Sequence, residues 1–463
     1  MLTTLEEALI YLEKYIPRPQ AKFPGLIGLK RIEKLLSILG APHLSYPTIH
    51  VGGTSGKGST ATFIASILAT EYKVGLYTSP HLMKVNERIK IIRKVKSQNA
   101  KVKSTIQNSK IFHTLDISDR NFIRVLNLLV PLIAEMDNTK YGPPSYFEII
   151  TAMAFLYFRT QKVDIAVIEV GLGGRYDATN VVKPLVAVLT NVGLDHTEVL
   201  GNTVEEIALD KVGIIKKNIH VVTGVTQPSV KKIVRSKCSE TNSQLLLLNR
   251  NFSYKVKKID LNGSVFDYRG SSEYQNLKTG LVGEHQIRNA SLAIKTIKQL
   301  SIINYQFTIG EIRQGLRNAY VSARFEIHNR KPLVILDGAH NQDKMKALVK
   351  AVKVIYPGKK ITVILAIKSD KNAKDILREL VKISQRIILT QYRLRTDVGD
   401  TVSHDPNLLS KIVKEIDPAI DIMKIKSPLE ALRYASFHVS SRDLILVTGS
   451  LYLIGEIKKF SMV

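Results

Sequence analysis

The nine residues from Gly52 to Thr60 comprise four glycines, one lysine and four hydroxyl side chains. Glycines allow backbone N–H groups to converge on an anion, and a lysine in such a loop reaches the β- and γ-phosphates of a nucleotide. A helix that starts at the loop adds the partial positive charge of its N-terminus. The usual loop has serine or threonine directly after the lysine, whereas Gly58 separates Lys57 from Ser59 here. The stretch therefore predicts a nucleotide phosphate site with one additional glycine.

Polar residues also follow two apolar runs further along the chain. Glu169 comes directly after the apolar residues 165–168. A carboxylate near a phosphate-binding loop is placed to hold the Mg²⁺ of a nucleotide. Asp195 and His196 follow the next apolar run, and the residues alone leave His196 equally open as a metal ligand or a core histidine. Lys211 precedes another apolar stretch, where a surface lysine is the simplest interpretation.

These side chains need a sheet that brings strand ends together. Residues 47–51 predict a short buried strand, and the apolar spacing from 60 to 72 predicts a helix after the loop. Further apolar strands at 73–78, 163–169 and 185–192 alternate with helices, which is typical of a parallel sheet covered on both faces. Open sheets of this kind bind ligands at the carboxyl ends of their strands. The predicted fold class is therefore α/β, with a P-loop-containing parallel-sheet ATPase domain.

A second series of strands and helices begins at Leu333. Its predicted strands cover residues 333–336, 361–367, 386–390 and 444–447. We therefore expect a smaller Rossmann-like α/β domain after the first, with the chain divided into residues 1–323 and 324–463. Between the two series, Asn262-Gly263 is a candidate hairpin turn within a β-like region.

Composition limits the class of protein. The chain has 463 residues, 44% hydrophobic and 23% charged, which is typical of a globular protein with two or more domains. A single cysteine, Cys238, excludes an internal disulfide framework and favours a cytoplasmic setting, and no apolar run is long enough to cross a membrane. The net charge of +27 would suit a nucleic-acid binder, but the lysines are scattered. We interpret the acid-free stretch 93–110 as a solvated insertion and predict no nucleic-acid partner.

Seven segments in order make the sequence resemble one known family. They are HVGGTSGKGS at 50–59, SPHL at 79–82, EVGLGGRYDATN at 169–180, LDHT at 194–197, KVGI at 211–214, GEHQIRNA at 283–290 and LDGAHN at 336–341. The order resembles folylpolyglutamate synthase/dihydrofolate synthase, of the Mur ligase superfamily. The resemblance extends from Gly28 to Glu456 and so covers nearly the whole chain.

The resemblance implies a role for each matching residue. Implied nucleotide contacts are Gly53, Thr54, Ser55, Gly56, Lys57, Gly58, Ser59, Thr60, Gln286, Asn289, Arg324, Asp337 and His340. Implied ligands of two Mg²⁺ ions are Ser59, Ser79, Glu169, His196 and Lys211, and implied catalytic residues are Lys57, Lys211, His196 and Arg324. The family carries the lysine that Lys211 matches as a carbamate, which would turn a cation into an anionic metal ligand.

Two positions depart from the family's pattern. Arg324 follows Ser322-Ala323 where Pro-Gly or a close variant is usual, and Gln342 replaces the proline after Asn341. The resemblance implies an ATP-dependent ligase, in a Mur-ligase-type ATP-binding domain and a glutamate-ligase domain, that joins L-glutamate to a folate or dihydropteroate carboxylate through an acyl phosphate. It also implies a monomer. The alternatives are another Mur-type amino-acid ligase and a P-loop nucleotide-binding protein that acts on nucleic acid. The choice of pterin and the polyglutamate length stay open.

Overall fold

The computed structural model of the protein describes residues 1–17, 24–94, 112–396, 399–440 and 443–460. The helices are α1 Leu5–Glu13, α2 Leu26–Ile38, α3 Lys57–Leu68, α4 Asp119–Met136, α5 Tyr146–Thr160, α6 Thr197–Leu200, α7 Val204–Lys211, α8 Pro228–Glu240, α9 Glu284–Leu300, α10 Ile309–Asn318, α11 Gln342–Ile355, α12 Ala373–Leu380, α13 Pro406–Ile416, α14 Pro428–His438 and α15 Leu451–Phe460. In this part of the chain no helix is both long and apolar enough to cross a membrane.

The strands of the larger sheet are β1 Thr48–Gly52, β2 Val74–Tyr77, β3 Ile89–Lys94, β4 Phe112–Asp116, β5 Ile165–Glu169, β6 Val186–Leu189, β7 His220–Thr223 and β8 Gln244–Leu247. Their order is β4-β3-β2-β5-β1-β6-β7-β8. The strands from β2 to β8 in this order are parallel, which confirms the predicted α/β fold. The sequence did not reveal β3 and β4, which extend the sheet antiparallel. They were missed because β3 and β4 flank the basic stretch 93–110, and β3 includes its first two residues. The rest of that stretch, residues 95–110, lies outside the described residues.

Helices cover both faces of this sheet and hold the glycine-rich loop. Every residue of β1 and β5 is buried, as expected for central strands of a parallel sheet. α3 begins at Lys57 rather than at the predicted Thr60, and it packs against α9 and α10 through a face that includes Phe63 and Ile67. α5 covers the opposite face with residues such as Phe155 and Phe158. The loop between β1 and α3 therefore starts from a rigid, fully buried strand.

Three further strands, β9 Ser253–Asp260, β10 Gly263–Arg269 and β11 Glu273–Thr279, form a separate antiparallel sheet. The predicted hairpin is confirmed, but its turn is Leu261-Asn262, and Gly263 is the first residue of β10, paired with Asp260. The remaining strands are β12 Glu326–Arg330, β13 Leu333–Leu336, β14 Ile361–Leu365, β15 Ser384–Leu389, β16 Arg393–Thr396, β17 Gly399–Val402, β18 Asp421–Lys424 and β19 Leu444–Thr448.

Six of these last strands form the second α/β sheet, in the order β12-β13-β19-β14-β15-β18. β12 is antiparallel to β13, and the other neighbours are parallel. A second α/β unit with its own sheet is thus confirmed. The exact division between residues 323 and 324 stays a prediction, and it falls in the linker directly before β12.

Candidate active site

The loop between β1 and α3 is anchored to the segment that follows β6. The backbone N–H of Thr54 donates to the carbonyl of Asn191 at 3.1 Å, and the N–H of Ser55 donates to the Asn191 side chain at 2.8 Å. The Thr190 hydroxyl donates to the carbonyl of Ser55 at 2.7 Å. The Thr54 hydroxyl donates to the carbonyl of Gly193 and accepts from its N–H, at 3.1 and 3.0 Å. A neighbouring strand end therefore sets the shape of the phosphate-binding loop.

Glu169 lies beside the start of α3 because β5 and β1 are neighbours in the sheet. Its carboxylate accepts a hydrogen bond from the backbone N–H of Ser79 at 3.0 Å. A Cβ atom at Gly58 would lie 3.3 Å from Glu169 Oε2, so the additional glycine of the loop lets the carboxylate approach the helix. Burial raises the pKa of Glu169, although Lys57 and the Ser79 N–H favour its ionised form. The carboxylate thus occupies the position that the sequence predicted for it, at the phosphate loop.

Lys211 ends α7 and is not a surface lysine. Its residue is only 4% exposed, and its ammonium donates to the carbonyl of Gly53 at 3.4 Å. Burial, reinforced by the charge of Lys57, lowers the pKa of Lys211 to about 7. Among the residues described, no carboxylate oxygen lies within 4 Å of its Nζ. The simplest interpretation from sequence is therefore wrong, since this amine reaches the phosphate-binding loop from within the protein.

His196 faces the same region from the segment after β6. Its side chain is 37% exposed, its Nδ1 lies 3.6 Å from Glu198 Oε1, and its Nε2 lies 3.9 Å from Asp195 Oδ1. Its backbone is in the left-handed region, with φ of 53°. Desolvation lowers the pKa of His196 to about 4, although Asp195 opposes this. The core-histidine interpretation is wrong, and a neutral imidazole at the cavity agrees with a metal ligand.

Asp195 connects the first sheet to the second α/β unit. Its carboxylate accepts hydrogen bonds from Lys371 Nζ at 2.7 Å and from Asn341 Nδ2 at 2.9 Å. The Lys371 and Asp195 side chains are 13% and 10% exposed, so little water screens the pair. Burial opposes ionisation of Asp195, but His196 and Lys371 hold its pKa well below the usual range. We call Asp195, Asn341 and Lys371 the interdomain bridge. No local sequence pattern marks Lys371.

The linker before β12 carries Arg324 to the other wall of the site. The Asp337 carboxylate accepts from the backbone N–H groups of Phe325 and Ala339, at 2.8 and 2.9 Å, and so ties the linker to the end of β13. Burial raises the pKa of Asp337, while the Arg324 guanidinium favours the ionised form. Ala323 has φ of 57°, a left-handed conformation that costs a residue with a Cβ about 1–2 kcal/mol. The linker therefore keeps its turn with alanine in place of the usual glycine at position 323, at the cost of backbone strain.

Two further pairs contribute polar groups. His340 Nδ1 lies 2.8 Å from the carbonyl of Gly338 and must donate to it, so Nε2 is the acceptor. Nε2 lies 2.9 Å from Lys344 Nζ, which donates. Across the site, at the start of α9, Asn289 Nδ2 donates to Gln286 Oε1 at 3.1 Å.

These side chains line one cavity of about 540 Å³ between the two α/β units. The volume lies in the range of small-molecule sites. The cavity contains every predicted nucleotide contact and metal ligand except Thr60, which is fully buried within α3. Arg288 and Lys344 also line it, although they were not predicted. Arg288 lies inside the GEHQIRNA segment and could have been noticed, whereas nothing local marks Lys344.

The donor set around Glu169 suits a magnesium ion that shares its ligands with a nucleotide. Mg²⁺ typically takes one or two carboxylates and completes its shell with phosphates and water. Glu169 supplies one carboxylate, and the hydroxyls of Ser59 and Ser79 line the same cavity. Within the described residues no three His, Cys, Asp or Glu side chains converge on one point. The residues therefore fit an open site for Mg²⁺ and not a closed cage of protein ligands.

Comparison with known proteins identifies the family. Residues 129–297 match the Mur ligase middle domain, and residues 320–460 match the dihydrofolate synthetase C-terminal domain. A dihydrofolate synthase/folylpolyglutamate synthase of Bacillus subtilis (strain 168) is 33% identical over 458 residues, which cover 95% of this chain and 96% of the relative. The chain belongs to the folylpolyglutamate synthase and dihydrofolate synthase family.

Solved structures of folylpolyglutamate synthase (FPGS) agree with this assignment. Mycobacterium tuberculosis folylpolyglutamate synthase complexed with ADP is similar with a TM-score of 0.85 at 26% identity, over 98% of both chains. An FPGS–AMPPCP–folate complex has a TM-score of 0.80 at 32% identity, over the full length of both chains. The resemblance identified from the seven segments is thus confirmed, and the folate branch is favoured over both alternatives.

Proposed function

We propose that this chain is an ATP-dependent ligase that joins L-glutamate to the carboxylate of a folate or dihydropteroate. One observation carries the proposal: the phosphate-binding loop, Glu169 and the linker cation Arg324 face a single cavity. The family supports it, since the Bacillus subtilis relative is named for both dihydrofolate and folylpolyglutamate synthesis. A structurally similar FPGS is a complex with AMPPCP and folate.

The chemistry starts from an unreactive carboxylate, which resists amine attack because oxide is a poor leaving group. Transfer of the γ-phosphoryl group of ATP to a carboxylate oxygen gives an acyl phosphate and ADP. The neutral amino group of glutamate then attacks the acyl carbon, and the bond between that carbon and the phosphate oxygen breaks. An amide and inorganic phosphate are formed, and the proton of the amine is released.

The task of the residues is to bring three anionic substrates together. Lys57 and the N–H groups of the loop hold the terminal phosphates. Arg324, on the opposite wall, offsets the charge that develops as the phosphoryl group moves. Gln286 and Asn289 are the proposed contacts of the adenine and Asp337 that of the ribose, and His340 lies by the nucleotide. Because these contacts come from both α/β units, we propose that closure of the two units assembles the site.

We propose two Mg²⁺ sites in the same cavity. Ser59, Ser79 and Glu169 would hold the first ion, and Glu169, His196 and Lys211 would hold the second. When bound, Mg²⁺ would neutralise phosphate charge and polarise the transferring phosphoryl group.

We further propose that Lys211 is a carbamate in the active enzyme. Its neutral amine adds to carbon dioxide, a nitrogen–carbon bond forms, and one proton is released. The product is an anion whose oxygens are ligands that a hard cation prefers. The surroundings support the proposal, since Lys211 is buried and, among the described residues, its ammonium donates to one backbone carbonyl, 3.4 Å away. An unmodified ammonium there would repel a neighbouring Mg²⁺.

Carbon-13 NMR after equilibration with labelled bicarbonate tests the carbamate. We expect a carbamate signal in the wild type that is lost in Lys211→Ala and kept in Lys216→Ala. Lys216 is a suitable control because it is a half-buried lysine whose ammonium donates to the carbonyl of Asn180. Lys211→Ala should be nearly inactive, and formate or acetate should restore part of the activity. A wild type without the signal, together with full activity of Lys211→Ala, would contradict the proposal.

Phosphate release tests the ligase itself. The assay contains ATP and Mg²⁺ with either dihydropteroate or tetrahydrofolate, each with and without glutamate. We expect phosphate release only when both a pterin and glutamate are present. Comparing dihydropteroate with tetrahydrofolate then shows which pterin the enzyme uses. Release stimulated by nucleic acid, or by a peptidoglycan precursor in place of the pterin, would contradict the proposed function. The monomeric state, the cytoplasmic location and the domain division at 323/324 stay predictions.

A further inference from the structure

Lys344 is a charged residue of the cavity wall to which neither the sequence motifs nor the proposed mechanism gives a role. It lies in the first turn of α11, and its backbone N–H donates to the N-cap side chain of Asn341 at 3.0 Å. The residue is half-buried and lines the cavity. Its hydrogen-bond partner within the described residues is the Nε2 atom of His340, 2.9 Å away.

That partner is neutral. His340 donates its Nδ1 proton to the carbonyl of Gly338, and burial together with the charge of Lys344 holds the pKa of His340 well below its usual value. The ammonium of Lys344 therefore has no opposite charge within 4 Å among the residues that the structure describes. Removing an ammonium from water without a counterion is costly, and a bound anion reduces that cost.

The nearby carboxylates are engaged elsewhere. Asp195 accepts from Lys371 and Asn341 in the interdomain bridge. Asp337 accepts from two backbone N–H groups. Neither carboxylate forms an ion pair with Lys344 within 4 Å, so a bound anion would supply the close negative charge that Lys344 does not have among the described residues.

Lys344 also acts on the phosphate end of the cavity. Burial lowers the pKa of Lys344 to about 7; Asp195 opposes this, while Arg324 and Lys57 add to it. Lys344 in turn is among the cations that favour ionised Glu169. Lys57 and Arg324, from two other segments, are thus each close enough to Lys344 to repel it. None of the three has a carboxylate within 4 Å among the described residues.

We propose that Lys344 binds the γ-phosphate of ATP, as a third cation delivered by α11 opposite Lys57. The inference rests on the proposed function and adds to it a residue that engages the nucleotide from the second α/β unit. The γ-phosphate carries more than one negative charge on a single group and so matches these cations, whereas each of the two carboxylates of glutamate carries one charge. The γ-phosphate takes over the contact that the ammonium of Lys344 makes with His340 Nε2.

Nucleotide binding measured by calorimetry tests the inference without requiring turnover. Lys344→Met should weaken a non-hydrolysable ATP analogue by about 10- to 100-fold, the effect of losing one hydrogen bond to a charged group. It should weaken ADP by less than about 2-fold, because ADP lacks the γ-phosphate. Lys344→Arg should keep most of the affinity for the analogue. Lys353→Met, the same change at an exposed position of the same helix, is the matched control and should leave both affinities unchanged.

The possible results separate the roles. Equal weakening of the analogue and ADP would mean that Lys344 acts through His340 on the rest of the nucleotide, and would overturn the proposal. Unchanged nucleotide affinity with a raised KM for glutamate would assign the ammonium to the amino-acid carboxylate, and would also overturn it. If the wild type binds the analogue but forms no glutamylated pterin, the proposed function fails while the nucleotide comparison still decides the role of Lys344.

Discussion

The shape of the phosphate-binding loop depends on the absence of a Cβ atom at Gly53. Its φ is +136°, and a Cβ there would lie 2.0 Å from Thr190 Oγ1 and 3.1 Å from the carbonyl oxygen of Asn191. The Thr190 hydroxyl cannot move away freely, because it donates to the carbonyl of Ser55 at 2.7 Å and lies 3.2 Å from that of Gly52. Gly53→Ala must therefore displace the loop or break its anchor to the segment after β6.

The cost has two parts. A Cβ in a left-handed conformation costs about 1–2 kcal/mol. Forcing extra volume into a packed site costs about 1–3 kcal/mol more. We therefore expect Gly53→Ala to lower the free energy of unfolding by about 2–5 kcal/mol. Because Ser55 and the N–H groups of the loop shift with it, we also expect the KM for ATP to rise and phosphate release to fall.

Gly142→Ala is the matched control for strain alone. Gly142 has φ of +69°, and a Cβ there would meet nothing within 4 Å. Chemical denaturation should show a loss of about 1–2 kcal/mol for this variant, with normal phosphate release. If both variants lose the same stability and both keep full activity, contact with Thr190 does not set the loop, and the reasoning is refuted.

Three further substitutions test other parts of the site. Arg324→Ala should lower kcat by at least about 100-fold with little change in the KM for the pterin, since its proposed partner is the transferring phosphoryl group; a change in that KM alone would make Arg324 a substrate-binding residue. Lys371→Met should remove the ion pair of the interdomain bridge, destabilise the protein by about 1–3 kcal/mol and increase the radius of gyration measured by small-angle X-ray scattering; an unchanged radius and stability would show that Asp195 does not hold the units together. Glu326→Gln should weaken the contact of the linker with Lys458 Nζ, which is 2.6 Å from Glu326 Oε1. Burial disfavours ionised Glu326, but the Ala323 N–H and Lys458 more than offset this and lower its pKa. The wild type should therefore be more stable than this variant by the full amount above the unfolded-state pKa of Glu326, and the difference should disappear as pH falls through the lower folded-state pKa. Chemical denaturation of both proteins at neutral and at acidic pH measures this difference.

The parts of the site that the sequence predicts are those with local signals. The glycines and Lys57 are adjacent in sequence, and Glu169 ends an apolar run, so parallel strands place both at one sheet edge. The second α/β unit follows from a fresh alternation of strands and helices after Leu333. Site residues far apart in sequence were recognisable because whole segments resemble a known family, not because of any single residue.

The parts that were missed depend on contacts between distant segments. Thr190 and Asn191 look like an ordinary strand end until β6 pairs beside β1 and brings them onto the loop. Lys344 and Lys371 lie in segments rich in lysine, so the sequence does not separate them from surface lysines. Only the packing of the two units places Lys371 against Asp195 and Lys344 in the cavity wall. Periodicity alone could not decide whether Lys211 was a surface lysine or His196 a core histidine, because the burial of a single side chain depends on tertiary packing.

The central claim is that the carboxylate is activated by phosphorylation before glutamate attacks it. The most direct measurement uses a pterin substrate labelled with oxygen-18 in its carboxylate, together with ATP, Mg²⁺ and glutamate, and analyses both products by mass spectrometry. An acyl phosphate predicts a pterin lengthened by glutamate and inorganic phosphate that carries one labelled oxygen from the carboxylate. ADP formed without a glutamylated product, or phosphate free of the label, would contradict the mechanism.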